Sequence, residues 1–160
     1  MNSSVGQIRQ RTRIALPTDD MYLFRLGVAL YGFASINSFV CEVITYLNPK
    51  ANRIELQGLT SGAVLGRFRS AIKQWSATDK VKTVGVKVAT DFERLNTERS
   101  DFVHAYPITS PSGEQILHRR VDEKNKYFEV TTSFLDDFIS RLENVSDGLY
   151  AIRSIVRPNI

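Results

Sequence analysis

Apolar positions recur every three or four residues along four stretches of this chain, and each such stretch predicts an amphipathic helix. The first runs from about Asp20 to Leu47, with Leu23, Leu26, Leu30, Phe33, Val40, Ile44 and Leu47 in its stripe and Asn37 as the polar interruption. Asp19 and Asp20 put negative charge where a helix begins, and Asn48-Pro49 stops it. The other side carries Phe24, Val28, Tyr31 and Phe39, so this helix is apolar over much of its circumference. Such a helix is either central to a bundle or covered on its second side by a partner subunit, and we favour the second.

The second helix is capped by Thr60 or Ser61 and continues through Val64, Leu65, Phe68, Ile72 and Trp75. Gly62 and Gly66, four apart, permit a neighbouring helix to come close. The third starts at Thr78 with Asp79 in its first turn, and its stripe is Val81, Val84, Val88, Phe92, Leu95 and Phe102. The fourth opens with Ser133 and Asp136 in a capping-box-like pair. It carries the clearest pattern: Leu135, Phe138, Leu142, Val145, Leu149, Ile152 and Val156, ended by Arg157-Pro158. Between the third and fourth, Pro107 to Gly113 reads as a loop. Gln115 to Val121 and Tyr127 to Val130, joined by Asp122 to Lys126, read as a β-hairpin. Ala51 to Leu59 is a connector. Residues 1–18 form a loose arm with a short extended piece at Ile14-Ala15-Leu16. The expectation is an all-α protein: a four-helix up-down bundle over residues 19–160 with a small β-hairpin insert between its third and fourth helices.

Composition narrows the class. At 160 residues, with 42% hydrophobic and 24% charged residues, the chain suits one ordinary globular domain. No uninterrupted apolar run approaches the ~20 residues that span a bilayer, and Met1 to Asp20 lacks the apolar stretch of a signal peptide. Cys41 stands alone, so no intramolecular disulfide forms and no Cys/His zinc spacing exists. A cytoplasmic protein with no cofactor, no metal and no membrane association is expected. The formal charge is +4 and unevenly placed. Arg67, Arg69, Lys73, Lys80, Lys82 and Lys87 face Asp79 alone in their stretch, which suits either a polyanion or a plain solvated helix face. Gly62 and Gly66 are not a phosphate-binding loop, since no Lys-Ser/Thr follows and no strand precedes.

The candidate chemistry lies at the end of the third helix, in Glu98-Arg99-Ser100-Asp101-Phe102-Val103-His104-Ala105-Tyr106-Pro107. Arg99 falls on the buried stripe, where a guanidinium must find a partner or open onto a cleft or interface. His104 can move a proton near neutral pH, and Arg99 can hold a phosphate. On a straight helix five residues turn the chain so that the two point roughly 140° apart. They converge if the helix frays before His104 or if a second subunit contributes. Asp101 is placed to orient His104. The pair suits phosphodiester cleavage, with His104 exchanging protons and Arg99 stabilising the developing charge on phosphorus. A structural reading competes: a helix-end His104 with a structural Arg99, a half-buried Tyr106, and a solvated strand-end His118 beside Arg119 and Arg120. Trp75 and the Phe and Tyr positions fit core stripes rather than a base-stacking platform.

The arrangement Arg99-x4-His104-x-Tyr106, within Leu95-Asn-Thr-Glu98-Arg99-Ser-Asp-Phe-Val103-His104-Ala, resembles the HEPN superfamily. That resemblance implies a metal-independent endoribonuclease, of the kind used as toxins or in phage defence. It implies a homodimer acting on RNA, with Arg99 and His104 of both copies around one cleft. Glu98, Ser100, Asp101 and Tyr106 would support the pair, and the Arg67–Lys87 block would form an RNA approach path. Tyr106 becomes a candidate for modification by an antitoxin of nucleotidyltransferase type. The alternative within the same resemblance is a non-catalytic helical module that dimerises or binds nucleic acid or protein. In that case Arg99 closes an interface.

Overall fold

A computed structural model describes residues 3–11, 16–17, 19–120 and 127–157. The chain is mostly helical, with one small three-stranded antiparallel sheet. The helices are α1 (Val5–Arg11), α2 (Asp20–Leu47), α3 (Arg53–Gln57), α4 (Ser61–Gln74), α5 (Asp79–Val103) and α6 (Thr132–Val156). The strands are β1 (Tyr106–Thr109), β2 (Gln115–Arg120) and β3 (Tyr127–Val130), in spatial order β1-β2-β3. The four expected helices are α2, α4, α5 and α6. Two short helices were not expected: α1 lies in the stretch read as a loose arm, and α3 in the connector. Ile14 and Ala15 of the expected extended piece, and the expected hairpin turn at residues 122–126, lie outside the described residues.

Local chemistry explains the boundaries. The side chains of Asp19, Asn52, Thr60, Thr78 and Thr131 each accept a backbone N–H at the start of a helix. For α6 the cap is therefore Thr131, bonded to the Phe134 N–H, rather than Ser133. All seven apolar residues of the α6 stripe are buried. In α2 the buried set shifts: Tyr22, Ala29, Phe33, Ile36, Val40, Cys41, Val43, Ile44 and Leu47 face inward, while Leu30 of the expected stripe is exposed. A helix with apolar residues all round gives a weak angular signal, and the packing decides its orientation. By length and composition α2 could also cross a membrane, although the same test is passed by the core helix of a helical domain.

The directions of the helices depart from simple up-down alternation. Arg25 meets Asp136, Phe39 meets Tyr150 and Glu42 meets Arg153, so α2 and α6 keep a constant register of 111 residues and run parallel. Phe102 meets Phe134 and Phe138, Glu98 meets Arg141, and Val88 lies over Gly148, so α5 runs antiparallel to α6. Ile72 lies over Gly85 and Arg69 pairs with Glu93, which makes α4 antiparallel to α5 as well. Hence α5 opposes the other three. The connection carrying α3 allows this, because it returns alongside α2 before α4 begins. Helix–helix close approach occurs at Gly85 and Gly148, where a Cβ would strike Ile72 and Val88. It does not occur at Gly62 or Gly66, around which no atom lies within 4 Å of such a Cβ.

The sheet caps the end of the bundle where α5 finishes and α6 begins. Pro107 belongs to β1 and not to a loop. It sits opposite Leu117, whose N–H points away from β1 and donates to the Tyr22 hydroxyl at 2.9 Å, so the missing proline N–H forfeits no ladder bond. The loop proper is residues 110–114, closed by Ser110 N–H to Glu114 O at 2.7 Å and turned by Gly113 at φ +86°. The same Tyr22 hydroxyl donates to Val130 O at 2.7 Å, so one α2 side chain joins β2 to β3. Burial holds its pKa above the ordinary tyrosine value, against a smaller opposing effect of the Leu117 N–H.

Candidate functional site

Helix α5 stays regular to Val103, and His104 ends it with its N–H bonded to Ser100 O at 3.2 Å. The last turn does not fray, so within one chain Arg99 and His104 point to different sides. Arg99 turns inward. Its guanidinium lies 5.0 Å from the Phe33 ring centroid, and Phe33 itself stacks on Phe92 at 5.4 Å. Arg99 Nη2 donates to Asn96 Oδ1 at 2.9 Å, while its Nε is buried with no hydrogen-bond partner among the described residues. His104 turns outward and is exposed.

The expected supporting residues divide between two tasks. Asp101 does not orient His104: it accepts from Arg119 Nη1 at 2.8 Å, and the same nitrogen reaches Ser100 O at 3.3 Å. This ties β2 to the end of α5 and gives the Ser100 carbonyl, which already accepts the His104 N–H, a second donor. Glu98 accepts from Arg94 Nε at 3.0 Å and pairs with Arg141 of α6 at 2.6 Å. Burial works against the Arg141 charge, but Glu98 and Asp137 outweigh it and hold its pKa above the ordinary value. Glu98 is thus a strut between helices, and Ser100 is half-buried behind it.

Tyr106, 49% exposed, stands at the first position of β1, two residues beyond His104. Its ring packs against His118, its cross-strand neighbour, at 5.4 Å between centroids. His118 is not a solvated strand end. It is 8% exposed, because the alternation of β2 turns Ile116 and His118 inward together. The corner therefore offers water an imidazole and a phenol, with a second imidazole beneath the phenol. It can exchange a proton with a bound hydroxyl or leaving oxygen.

The basic block lies elsewhere. Arg69 pairs with Glu93 through both carboxylate oxygens, at 3.1 and 2.8 Å, and Lys87 pairs with Asp91 at 2.7 Å. Arg67, Lys73 and Lys80 are exposed and Lys82 is partly exposed. Lys73 and Lys80 flank the α4–α5 turn, and Lys80 is 24 residues, about 36 Å of helix, from His104. The block spans a range: Lys80 is at its far end, whereas Arg69, paired with Glu93, lies eleven residues of α5, about 16 Å, from His104.

A further feature escaped sequence reasoning. A groove of about 500 Å³ runs between the parallel α2 and α6, walled by Tyr31, Phe39 and Tyr150 and edged by Ser35, Ser38 and Ser146. Arg153 lies over the Phe39 and Tyr150 rings at 5.2 and 4.7 Å and is held by Glu42 at 3.3 Å. Tyr31 is 80% exposed and Phe24 62%, so these two aromatic positions are not core. The signal was present as the second apolar side of α2, but its partner α6 is remote in sequence. No family model, curated protein or solved structure matches this chain.

Proposed function

We propose that this protein is a metal-independent endoribonuclease of HEPN type, cytoplasmic, acting as a homodimer in toxin or phage-defence work. Its four long helices are read as the bundle of that superfamily, with the appended sheet holding the end of α5. The observation that carries the reading is the exposed His104 ring at a helix end beside an exposed Tyr106. His104 accepts the proton of an RNA 2′-hydroxyl, the 2′-oxygen bonds to phosphorus, and the P–O5′ bond breaks. The departing 5′-oxygen takes a proton from the imidazolium of a second His104. The products are a 2′,3′-cyclic phosphate and a 5′-hydroxyl. Arg99 stabilises the phosphorane charge through its remaining N–H groups. Since Arg99 and His104 diverge in one chain, the working pair is formed from two copies. The exposed Tyr106 hydroxyl suits modification by a nucleotidyltransferase antitoxin. Arg67, Lys73, Lys80 and Lys82 hold the RNA backbone away from the point of cleavage.

The experiment is cleavage of total and transfer RNA in EDTA by the wild type and by His104→Ala. Cleavage by the first alone is expected, and equal cleavage by both sinks the assignment. A second reading, a non-catalytic helical module, is favoured by Arg99 being held on Phe33 and Asn96 as a structural arginine would be. RNA binding or dimer formation without cleavage would select it.

A further inference from the structure

The short helix α3 and the turn before it form one wall of a pocket of about 410 Å³, bounded on the other side by α4 and the end of α2. Its floor is apolar, with Ile44 and Leu56 buried there. Its rim is polar and rich in donors. Asn48 Oδ1 accepts the backbone N–H of Lys50 at 3.1 Å, and Asn52 Oδ1 accepts those of Ile54 and Glu55 at 2.9 and 3.3 Å. Both amide oxygens are thus spent on the backbone, and what each side chain has left to offer a ligand is its NH2 group. Lys50 and Arg67 stand on the same rim, both exposed, and neither forms an ion pair among the described residues. Glu55 is the one carboxylate in the lining.

We infer that this pocket binds a nucleoside monophosphate, free or as one unit of an RNA strand. The phosphate meets Lys50 and Arg67, and the NH2 groups of Asn48 and Asn52 are further donors to its oxygens. Two cations and two amide donors against one carboxylate favour an anion. Glu55 repels a bare phosphate but accepts hydrogen bonds from ribose hydroxyls, the task a carboxylate has in dinucleotide sites. The organic part of the ligand covers Ile44 and Leu56 in place of water, and the volume falls within the roughly 300–1,000 Å³ of small-molecule sites. An inorganic anion leaves both the floor and Glu55 unused. The groove between α2 and α6 has a weaker claim, because its Arg153 is already held by Glu42 and by two aromatic rings. The pocket is also separate from the corner. Phe92 stacks on Phe33; Ile44 lies eleven residues, about 16 Å, from there toward the end of α2, and His104 lies twelve residues, about 18 Å, the other way. The two places are on the order of 30 Å apart along the bundle. Only the RNA form of the ligand rests on the nuclease reading; the pocket itself does not.

The test is calorimetric titration of the full chain with AMP and UMP, beside inorganic phosphate and adenosine. A nucleotide binds, and inorganic phosphate and adenosine each bind at least about tenfold more weakly. Lys50→Ala with Arg67→Ala weakens nucleotide binding at least about tenfold and leaves the helical circular dichroism spectrum unchanged, since both side chains are exposed. Glu55→Ala weakens the binding of AMP but not that of inorganic phosphate. His104→Ala binds nucleotide as the wild type does. Binding of neither nucleotide, an affinity unaltered by the double variant, or inorganic phosphate held as tightly as AMP overturns the assignment. Competition separates the two sources: AMP displaces a short single-stranded RNA from His104→Ala if the pocket takes a unit of RNA, and leaves it bound if the ligand is a free nucleotide. The pocket and the nuclease fail separately. Nucleotide binding by a chain that cuts no RNA removes the nuclease alone, and RNA cleavage by a chain that binds no nucleotide removes the pocket alone.

Discussion

The two ends of α5 are built for different work. At its C-terminal end the chain packs densely: Phe102, Phe134, Phe138 and Phe128 meet edge to face, the sheet closes over them, and Tyr22 and Arg119 pin the sheet to helices. Its N-terminal end is a short turn to α4, and exposed lysines there face water. An exposed imidazole and phenol lie at the rigid end, and exposed lysines at the other. The difference teaches that a proton-transfer group needs a fixed position, whereas phosphate attraction needs only charge on a surface. It also teaches that one chain does not bring both to the same phosphate. Some 36 Å of helix separates them.

The largest expected effect comes from opening the rigid end. Phe102→Ala leaves a cavity beside Phe134 and Phe138 and should destabilise by roughly 3–5 kcal/mol in a denaturant titration. A loss below about 1 kcal/mol would mean that the sheet does not seal this end. Next is Tyr22→Phe, which strands the Leu117 N–H and Val130 C=O and should lower stability by about 1–3 kcal/mol. Tyr22 also predicts a pH dependence. Its pKa is raised in the folded state, so its contribution is complete below the unfolded value near 10 and is lost as pH climbs through the folded value. Alkaline destabilisation should therefore be shallower in Tyr22→Phe. An identical pH profile in both proteins would contradict the buried hydroxyl.

Asp101→Ala sharpens the contrast further, since it frees Arg119 at the rigid end. The pair is partly exposed, and a change of about 0.5–1 kcal/mol is expected. Faster amide exchange should be confined to β1 and β2. Smallest of all for stability is Lys73→Gln with Lys80→Gln at the open end, expected to change it by less than about 0.5 kcal/mol. If these lysines meet RNA phosphates, the salt dependence of binding should fall by about one unit of slope for each lysine lost. An unchanged slope would make the open end a solvated surface and nothing more.

How far the sequence could be read depended on how local each feature was. Helix α6 was legible throughout, because Leu135 to Val156 repeat on one face against polar residues on the other. Helix α2 was legible as a helix but not in orientation, because Leu30 and Tyr22 carry similar apolar surface and only packing chose Tyr22. The parallel sense of α2 and α6 was hidden, since it depends on where residues 48–60 lead the chain. Strand β1 was hidden by Pro107, which reads as a breaker unless its edge position is known. At the corner, the divergence of Arg99 and His104 follows from 3.6 residues per turn and could be read in advance. The pairing of Asp101 with Arg119 could not, because it joins residues 18 apart through a sheet. The burial of His118 had a signal in Ile116, its apolar neighbour on the same strand face.

The most direct test of the central claim is RNA cleavage in EDTA by wild type, His104→Ala and Arg99→Lys, each first shown to be folded with the wild-type mass in solution. His104 is exposed, so its loss should leave stability unchanged while cleavage falls by at least about 100-fold. Arg99→Lys keeps a charge on Phe33 but removes the planar fork, and should retain the fold with much weakened cleavage. The account predicts that both variants lose a wild-type activity whose product ends in a 2′,3′-cyclic phosphate. Undiminished cleavage by folded His104→Ala would contradict it.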